Sequence, residues 1–494
     1  MKKSIKILSL LLVFIFTLST LFLTSCKRGT SEEVADESDS NPYIIKTEIK
    51  DGCIWVTYSN DPENPVNVGA MGIDGNTESD GSLNYLPLPD GTYGITAGKA
   101  KYLEKIVVPE TYNGKPVSTI LENAFNGATN LKEIVIPSTI TAVGENAFTN
   151  CGKLKYNEQD GALYLGNESN PYLILVEAKD TSISKCTVNE KTVAICSDAF
   201  YNCGSLQIVN IPNSVKSIGA RAFYNCSRIS VINIPEGIDF IGSETFYNCL
   251  SIEKVTIPAS VITISPSAFS SCKGLTNVTF AKNSLLTSIG NSAFSTCTSL
   301  KSITIPKGVL NIGDHKANKN TDGAFYNCKS LESVSFEDGS EIKQIGNFAF
   351  DACSKLASVN LPDSINKLGI SAFRSCGLKK VNLPDSLTTI PQETFMGCKS
   401  LETVTFGSKT LSIGGKAFAG CSKLNNVVIP ETTMYIGASA FFECSALTSL
   451  AVKDPTKWYA VGKDLIGLSS TDFGNATTAA KFVTQDYFDH SFEK

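Results

Sequence analysis

Cysteine and histidine have the greatest capacity for chemistry in this chain of 494 residues, which contains 16 cysteines but only two histidines, His315 and His490. The thiols could form disulfide bonds, bind zinc or supply a nucleophile. Zinc sites built from cysteine normally use closely spaced pairs, and the sequence has no C-x-x-C pair. A Ser-His-Asp or Cys-His site would have to use one of the two histidines, and both lie outside the recurring positions of the sequence. We therefore predict no enzyme activity, no metal site and no cofactor.

Most of the cysteines share one position in a sequence repeat. Twelve of the 16 follow a phenylalanine by three residues. Equivalent side chains in stacked strands point the same way at a spacing of about 4.8 Å, whereas a disulfide needs converging Cβ vectors. We expect free, buried thiols that act as small apolar side chains. Cys53, Cys186 and Cys196 fall outside this position, and a Cys186–Cys196 disulfide stays open as an alternative.

The repeat itself is the strongest structural signal in the sequence. The pair Ala-Phe, or a close variant, ends a short motif thirteen times, usually 23 residues apart. Repetition at a fixed period indicates a solenoid of about thirteen turns, in which each turn buries its apolar side against its neighbours. The phenylalanines of the motif are Phe125, Phe148, Phe200, Phe223, Phe246, Phe269, Phe294, Phe325, Phe350, Phe373, Phe395, Phe418 and Phe441.

One regular unit, residues 206–226, shows how a turn could form. Val209 and Ile211 alternate with polar residues, which predicts the inner face of a short strand. Pro212 cannot donate to a strand ladder and would end the strand. We interpret Gly219 as a turn residue with an unusual backbone angle. The residues before Phe223 predict a short helical or 3₁₀ turn that places the ring in the core, where burial contributes roughly 1.5–3 kcal/mol.

The motifs Ile-Pro, Ile-Gly and Ala-Phe-x-x-Cys of nearly every turn resemble the BspA-like, Treponema-type leucine-rich repeats over about residues 103–452. The resemblance implies a right-handed, curved, β-rich solenoid with a parallel sheet on its concave side. It also implies an exported or surface protein that takes part in adhesion and protein binding. The spacing itself predicts only the solenoid.

Residues 1–26 resemble the signal peptide of a bacterial lipoprotein. Three lysines precede the apolar run 7–23, and the segment Leu-Thr-Ser-Cys ends at Cys26. The match to the lipobox implies that Cys26 becomes the lipid-modified first residue of the mature chain. An uncleaved signal anchor is the alternative, because the apolar run is nearly long enough to span a bilayer. Residues 27–41 are acidic and polar, which predicts a flexible tether.

Four further segments depart from the repeat. Residues 160–178 contain two apolar runs around a turn signal and predict a β-hairpin insertion that projects from a modified turn. Residues 314–323 form an extra loop, which is either a contact point or a tolerated surface loop. Residues 42–102 carry β-type runs and predict a small N-terminal cap. Residues 453–494, which include Trp458, are expected to cover the last apolar face as a C-terminal cap.

The outward residues of the predicted strands form a strip along the concave sheet, and we predict this strip as the binding surface. It is a row of small, mostly uncharged hydrogen-bonding groups on a sheet about 60 Å long. Such residues also suit exposed strands that bind nothing, so the purely structural interpretation stays open. The strip lacks the aromatic residues that sugar stacking usually needs, which favours a protein over a glycan. Its residues are Asn210, Asn233, Thr256, Thr279, Thr304, Ser335, Asn360, Asn382 and Thr405.

A row of tyrosines forms a second candidate surface. Tyr201, Tyr224 and Tyr247 occupy the position after the repeated phenylalanine, and Tyr326 repeats the motif further along. Stacked tyrosines could anchor an interface. They could equally form a packing ladder along one edge of the solenoid.

The composition indicates a folded protein and argues against a nucleic-acid-binding one. The chain is 42% hydrophobic and 18% charged, which allows a substantial core and excludes wholesale disorder. Its net charge is −5 and it has no long basic run, which argues against a nucleic-acid partner. We expect a cell-surface lipoprotein that binds an extracellular protein, or secondly a glycan, and contacts the membrane only through its lipid anchor. The alternatives are a polysaccharide-binding accessory protein and a structural envelope protein without an external ligand.

Overall fold

The computed structural model describes residues 44–50, 53–58, 61–70, 78–79, 83–314, 323–462, 465–467 and 470–494. The predicted signal peptide with Cys26, the acidic tether, most of the predicted loop 314–323 and the side chain of Cys53 lie outside these residues. Within the described residues, no helix combines the length and apolarity that crossing a membrane requires. The chain divides into two compact units, one of residues 1–140 with 146–154 and one of residues 141–145 with 155–494.

The first unit consists mainly of β-structure, as predicted for the N-terminal cap. Its first three strands form an antiparallel sheet, Ile44–Lys50, Cys53–Tyr58 and Asp61–Ala70. The elements that follow are Glu78–Ser79, Asn84–Pro87, Tyr93–Thr96, the 3₁₀ helix Gly98–Tyr102, Thr111–Tyr112 and Lys115–Ile120. Lys105–Val107 then pairs in parallel with Glu133–Val135, so the repeat begins in this unit.

The second unit is a solenoid. Its turns, which we call coils, contribute the strands of a first parallel sheet. The solenoid turns of the chain number about 15, against about thirteen predicted, because turns without the repeated phenylalanine were not counted. In each strand the central apolar residue is buried and its neighbours are exposed, as at Val255 between Lys254 and Thr256. The first-sheet strands of this unit are Lys185–Thr187, Ile208–Asn210, Lys254–Ile257, Asn277–Phe280, Ser302–Ile305, Ser333–Phe336, Ser358–Val359, Lys380–Asn382, Thr403–Thr405, Asn426–Ile429 and Ser449–Val452.

A second parallel sheet occupies the place where the sequence predicted only a turn. Its strands are two residues long and end in a buried apolar residue such as Ile218. The interpretation of Gly219 was also wrong: a Cβ there would lie 2.3 Å from the backbone nitrogen of Ser197, so glycine is needed for close contact between coils. The strands are Ala194–Ile195, Ser217–Ile218, Phe240–Ile241, Thr263–Ile264, Ser288–Ile289, Asn311–Ile312, Gln344–Ile345, Lys367–Leu368, Thr389–Ile390, Ser412–Ile413 and Tyr435–Ile436. The two-residue strand Ala142–Val143 lies outside this sheet.

The third side of each coil is a series of hydrogen-bonded turns rather than the predicted short helical or 3₁₀ segment. Successive amides alternate between two kinds of partner. The amide of Phe223 donates to the carbonyl of Thr245 in the next coil (2.9 Å), whereas that of Tyr224 donates to Arg221 in its own coil (3.0 Å). Arg221 and Asn225 adopt left-handed backbone angles (φ 56° and 58°), which break the helix after each turn. The turns therefore link neighbouring coils much as a strand ladder does.

The repeated phenylalanines form the predicted column in the core. Neighbouring ring centroids from Phe200 to Phe441 lie 5.1–5.6 Å apart and their planes are within 15° of parallel. All of these rings are fully or almost fully buried. In the first unit, Phe125 and Phe148 stack in the same way at 5.7 Å. The predicted leucine-rich-repeat fold class is confirmed.

The predicted hairpin forms, but it is built into the second sheet instead of projecting from it. Ala162–Leu165 pairs antiparallel with Asn157–Gln159 and with Ile174–Ala178. Ile174–Ala178 then pairs in parallel with Ala194–Ile195, the next strand of the solenoid. The hairpin therefore extends the second sheet at its N-terminal end.

The last forty residues close the opposite end of the second unit. Trp458, which the sequence placed in a predicted C-terminal cap, is buried and packs against Phe473 with ring centroids 5.4 Å apart. The strand Ser491–Glu493 pairs antiparallel with Tyr435–Ile436 and ends the parallel order of the second sheet. The remaining elements are the strands Tyr459–Val461 and Leu465–Gly467, the helices Ser470–Gly474 and Ala476–Lys481, and the π-helical turn Phe482–Asp486.

Both sheets of the second unit are interrupted at two places along the solenoid, which we call seams. At the first seam the second sheet stops at Ser217–Ile218 and restarts at Phe240–Ile241. The first sheet has only an isolated bridge there, between Ile208 and Val231, before it restarts at Lys254–Ile257. The Phe223 and Phe246 rings still stack across this seam at 5.4 Å, so the core remains continuous.

The second seam has a direct cause in the sequence. A single residue, Gly377, separates Cys376 from Leu378, where most coils have two residues between the equivalent positions. The shortened connection disrupts the register, and neither sheet is paired between this coil and the one before it. A Cβ on Gly377 would lie 2.4 Å from the carbonyl oxygen of Ser354, so the shorter path requires glycine here.

Candidate binding face

All nine residues of the predicted strip lie exposed on the first sheet, on the side opposite the buried column. Thr256 and Thr279 are direct neighbours in the parallel register, and their hydroxyls hydrogen-bond at 3.0 Å. Thr304 and Ser335 form the same contact at 2.9 Å. The hydroxyls are therefore held in an ordered row, and they retain acceptor capacity for an external donor because each hydroxyl oxygen has two lone pairs.

Asn233 differs from the other residues of the strip. Its side-chain amide donates to the carbonyl of Ile211 at 2.7 Å and accepts from the Ile211 amide at 3.4 Å. The side chain thus replaces the missing strand ladder at the first seam. We assign Asn233 a structural role, which its sequence position alone did not indicate.

The predicted tyrosine row forms a ladder. Tyr201 and Tyr224 stack at 4.9 Å, and Tyr224 and Tyr247 at 4.7 Å. The ring faces inside the ladder are used by these contacts, which favours the packing interpretation over an interface anchor. Tyr326 lies further along the solenoid, beside Asp351 at the equivalent position of the next coil.

The cysteine column is buried, and its thiols are free, including those of Cys186 and Cys196. A role that spacing did not reveal is that eleven of the twelve column thiols donate to the backbone carbonyl of the repeated phenylalanine in the preceding coil. Cys226 reaches the Phe200 carbonyl at 3.0 Å, and the contact recurs in other coils at 3.0–3.3 Å. A thiol therefore suits this position both as a small apolar group and as a weak donor.

Alkaline pH should destabilise the protein through this column. Burial raises the pKa of Cys272 and Cys328 to about 12, whereas an unfolded thiol has a pKa of about 8.5. The stabilising contribution is complete below about pH 8.5 and is lost as pH rises towards 12, because only the unfolded chain ionises, at up to about 1.4 kcal/mol per pH unit for each thiol. Urea midpoints measured from pH 7.5 to 9.5 should therefore fall steeply. A Cys272→Ala variant, in which one titrating group is removed, should show a smaller pH slope; unchanged midpoints across the range would contradict the argument.

One ion pair lies close to the core. Asp351 takes the position of the tyrosines and is only 2% exposed. The guanidinium of Arg374 in the next coil donates to both carboxylate oxygens, at 2.5 and 3.1 Å, and lies 5.4 Å from the ring centre of Phe348. Glu393 approaches Arg374 at 3.7 Å across the second seam. The group links neighbouring coils.

A shallow depression of about 300 Å³ lies beside the strip. The strand Ser333–Phe336 extends two residues beyond its pairing with Ser358–Val359, and the loop with Asp338 and Gly339 replaces the usual Ile-Pro exit. Phe336 and Pro362 contribute apolar walls to this opening. In the part of the chain that the structure describes, no cluster of His, Cys, Asp or Glu could hold a metal ion.

The family model for the BspA-type leucine-rich repeat region matches residues 98–165, 193–321 and 318–448 in six copies, which together make up more than half of the chain. The chain belongs to the BspA-type leucine-rich-repeat family. In this BspA-type protein the match includes all strands that carry the predicted strip. No curated protein matches the sequence.

Several solved structures resemble this BspA-type protein. A leucine-rich repeat protein from Bacteroides ovatus is 26% identical, with a TM-score of 0.42, over 72% of this chain and 95% of that chain. A leucine-rich cell surface protein from Faecalibacterium prausnitzii is 24% identical, with a TM-score of 0.36, over 78% and 96% of the respective chains. The pneumococcal vaccine antigen PcpA is 17% identical, with a TM-score of 0.37, over 84% and 83%.

Proposed function

We propose that this BspA-type protein is a lipid-anchored surface protein that binds extracellular protein partners through the strip on its first sheet. The observation that carries the proposal is the ordered row of exposed hydroxyl and amide groups on consecutive coils. Protein interfaces of standard size need roughly 800 Å² from each partner, and the strip presents exposed groups on successive coils that a partner could contact without rearrangement. The lipobox at Cys26 supports membrane attachment outside the cytoplasm.

Surface exposure is tested by treating intact cells with protease and following the protein by immunoblot. We expect rapid cleavage, with a periplasmic marker protein intact in the same sample. Cleavage only after lysis would reject the surface location and leave a structural role inside the envelope. Mass spectrometry of the mature N-terminus tests the anchor separately, and an unmodified Cys26 would reject the lipid attachment.

The binding face is tested by variants that place a large charged group on each of two surfaces. Thr279→Arg with Thr304→Arg obstructs the strip, whereas Thr389→Arg alters an exposed residue of the second sheet. Each purified protein is applied to an array of extracellular proteins and to a glycan array. We expect protein partners that are lost with the double variant and retained with Thr389→Arg. Binding confined to glycans, or equal binding by both variants, would reject the proposal.

A further inference from the structure

Two exposed aliphatic residues interrupt the polar surface of the first sheet. Ile208 and Val231 are bridged neighbours, and they are 44% and 68% exposed. They belong to the row that lies two residues before the strip. From the following coil onward this row is polar, with Lys254, Asn277, Ser302, Ser333, Ser358, Lys380 and Thr403. The repeat therefore accepts a polar residue here, and the aliphatic pair is not required to build the coil.

Two lysines bracket this pair in the same row. Lys185 stands directly opposite Ile208 in the parallel register, and Lys254 holds the equivalent position in the coil after Val231; both are exposed. We call these four residues the lysine-bracketed patch.

A lysine at a comparable position in the first unit has a different neighbour from the two lysines of the patch. In the first unit, Lys105 occupies a comparable first-sheet position, but its register neighbour is Glu133, and the two charges pair at 2.6 Å. In the patch, the register neighbour of Lys185 is the aliphatic Ile208. Lys254 lies one coil after Val231 and pairs with the uncharged Asn277, so the row places two cations around an apolar centre.

The aliphatic pair spans the first seam. Ile208 and Val231 are joined by an isolated bridge, and the side-chain amide of Asn233 adds a second contact between the same two coils by hydrogen-bonding to Ile211. These contacts hold the two exposed side chains next to each other. Side chains that are already held in position lose less conformational freedom when a partner binds, which favours affinity.

We propose that the lysine-bracketed patch binds an extended protein segment in which one apolar side chain is flanked by two carboxylates at a spacing of two residues, acidic-x-apolar-x-acidic. Lys185 and Lys254 are three coils apart, about 14 Å at 4.8 Å per coil. An extended chain advances about 3.3 Å per residue, so residues i and i+4 are about 13 Å apart. Residues i, i+2 and i+4 also share one face. The segment would lie across the coils, with its apolar side chain over Ile208 and Val231. This inference rests on the proposed protein-binding function and names the chemistry of its partner.

The test uses three short capped peptides. The protein is the full chain except for its first 26 residues, which are removed. The ligand peptide is Ser-Asp-Ser-Leu-Ser-Asp-Ser. The charge-reversed control replaces both Asp by Lys, and the spacing control, Ser-Asp-Asp-Leu-Ser-Ser-Ser, has the same composition. Fluorescence anisotropy of labelled peptides at low salt measures binding. We expect the ligand peptide to bind about tenfold or more tightly than either control, and its binding to weaken as salt is added.

Protein variants locate the contact. Val231→Lys removes the apolar centre and adds a third positive charge, whereas Ser302→Lys adds the same charge at an exposed first-sheet residue outside the strip, three coils away. We expect at least about a tenfold loss with Val231→Lys and little change with Ser302→Lys. Equal affinity for all three peptides, no detectable binding, or binding that Val231→Lys leaves unchanged would overturn the proposal.

The proposed protein-binding function is tested by a different measurement, the array of extracellular proteins. A protein partner found on the array that is lost with the Thr279→Arg, Thr304→Arg variant but retained with Val231→Lys would reject the patch and keep the binding face. An array without any protein partner would reject the binding face itself, whatever the peptides show.

Discussion

Replacing Arg374 by Met should destabilise the second unit by about 3–5 kcal/mol, the usual cost of leaving a buried charge without its partner. Asp351 is 2% exposed, and Arg374 binds both of its oxygens. Methionine keeps much of the side-chain volume but cannot donate a hydrogen bond. Urea denaturation followed by circular dichroism measures the change.

The control exploits the repeat itself. Two other coils carry a buried serine, Ser270 and Ser295, at the position of Asp351. The double variant Asp351→Ser, Arg374→Met therefore gives this coil a natural composition and should recover most of the stability. A double variant as unstable as Arg374→Met alone would show that the arginine acts through packing and not through the ion pair.

Phe269→Ala should cost roughly 3–5 kcal/mol, because it opens a cavity in the middle of the phenylalanine column. The Phe269 ring is fully buried and lies 5.1 Å from Phe246 and 5.3 Å from Phe294. Denaturant unfolding measures the loss, and hydrogen exchange should show it concentrated in the coils on either side.

Two matched substitutions calibrate this result. Phe269→Leu keeps most of the buried volume and should cost clearly less than the alanine variant. Leu411→Ala removes a side chain that is 47% exposed on the second sheet and should change stability by no more than about 0.5 kcal/mol. A loss below about 1 kcal/mol for Phe269→Ala would contradict the role of the column as core.

Sequence predicted the features that depend on apolar periodicity. The column, the first sheet and its outward row follow from residues that recur every 23 positions, and burial at a fixed period leaves few alternatives. The hairpin was recognised from its two apolar runs, although its pairing with Ala194–Ile195 was not. That pairing depends on which edge of the neighbouring coil is open, which a local pattern does not contain.

Features that depend on backbone contacts between coils were not predicted from the sequence. Two-residue strands such as Ser217–Ile218 are too short to show alternation, so the second sheet was interpreted as a turn. Gly219 is required because a Cβ would collide with the neighbouring coil, and not because of its backbone angle. The residue type alone does not distinguish these two causes. The thiol donors, the Asn233 bridge and the seams also arise only when neighbouring coils are superposed.

The hydrogen bonds between coils join residues that are close in the chain, as in the pairs Arg221 with Asp198 and Asn225 with Asn202, each 23 residues apart. A regular coil in the middle of the second unit therefore depends mainly on its two neighbours. In-frame duplication or loss of such a repeat would preserve the type of contact between coils, while the outward row would lengthen or shorten by one residue position. Recombination between repeats could thus change the reach of the recognition surface without redesign of the core.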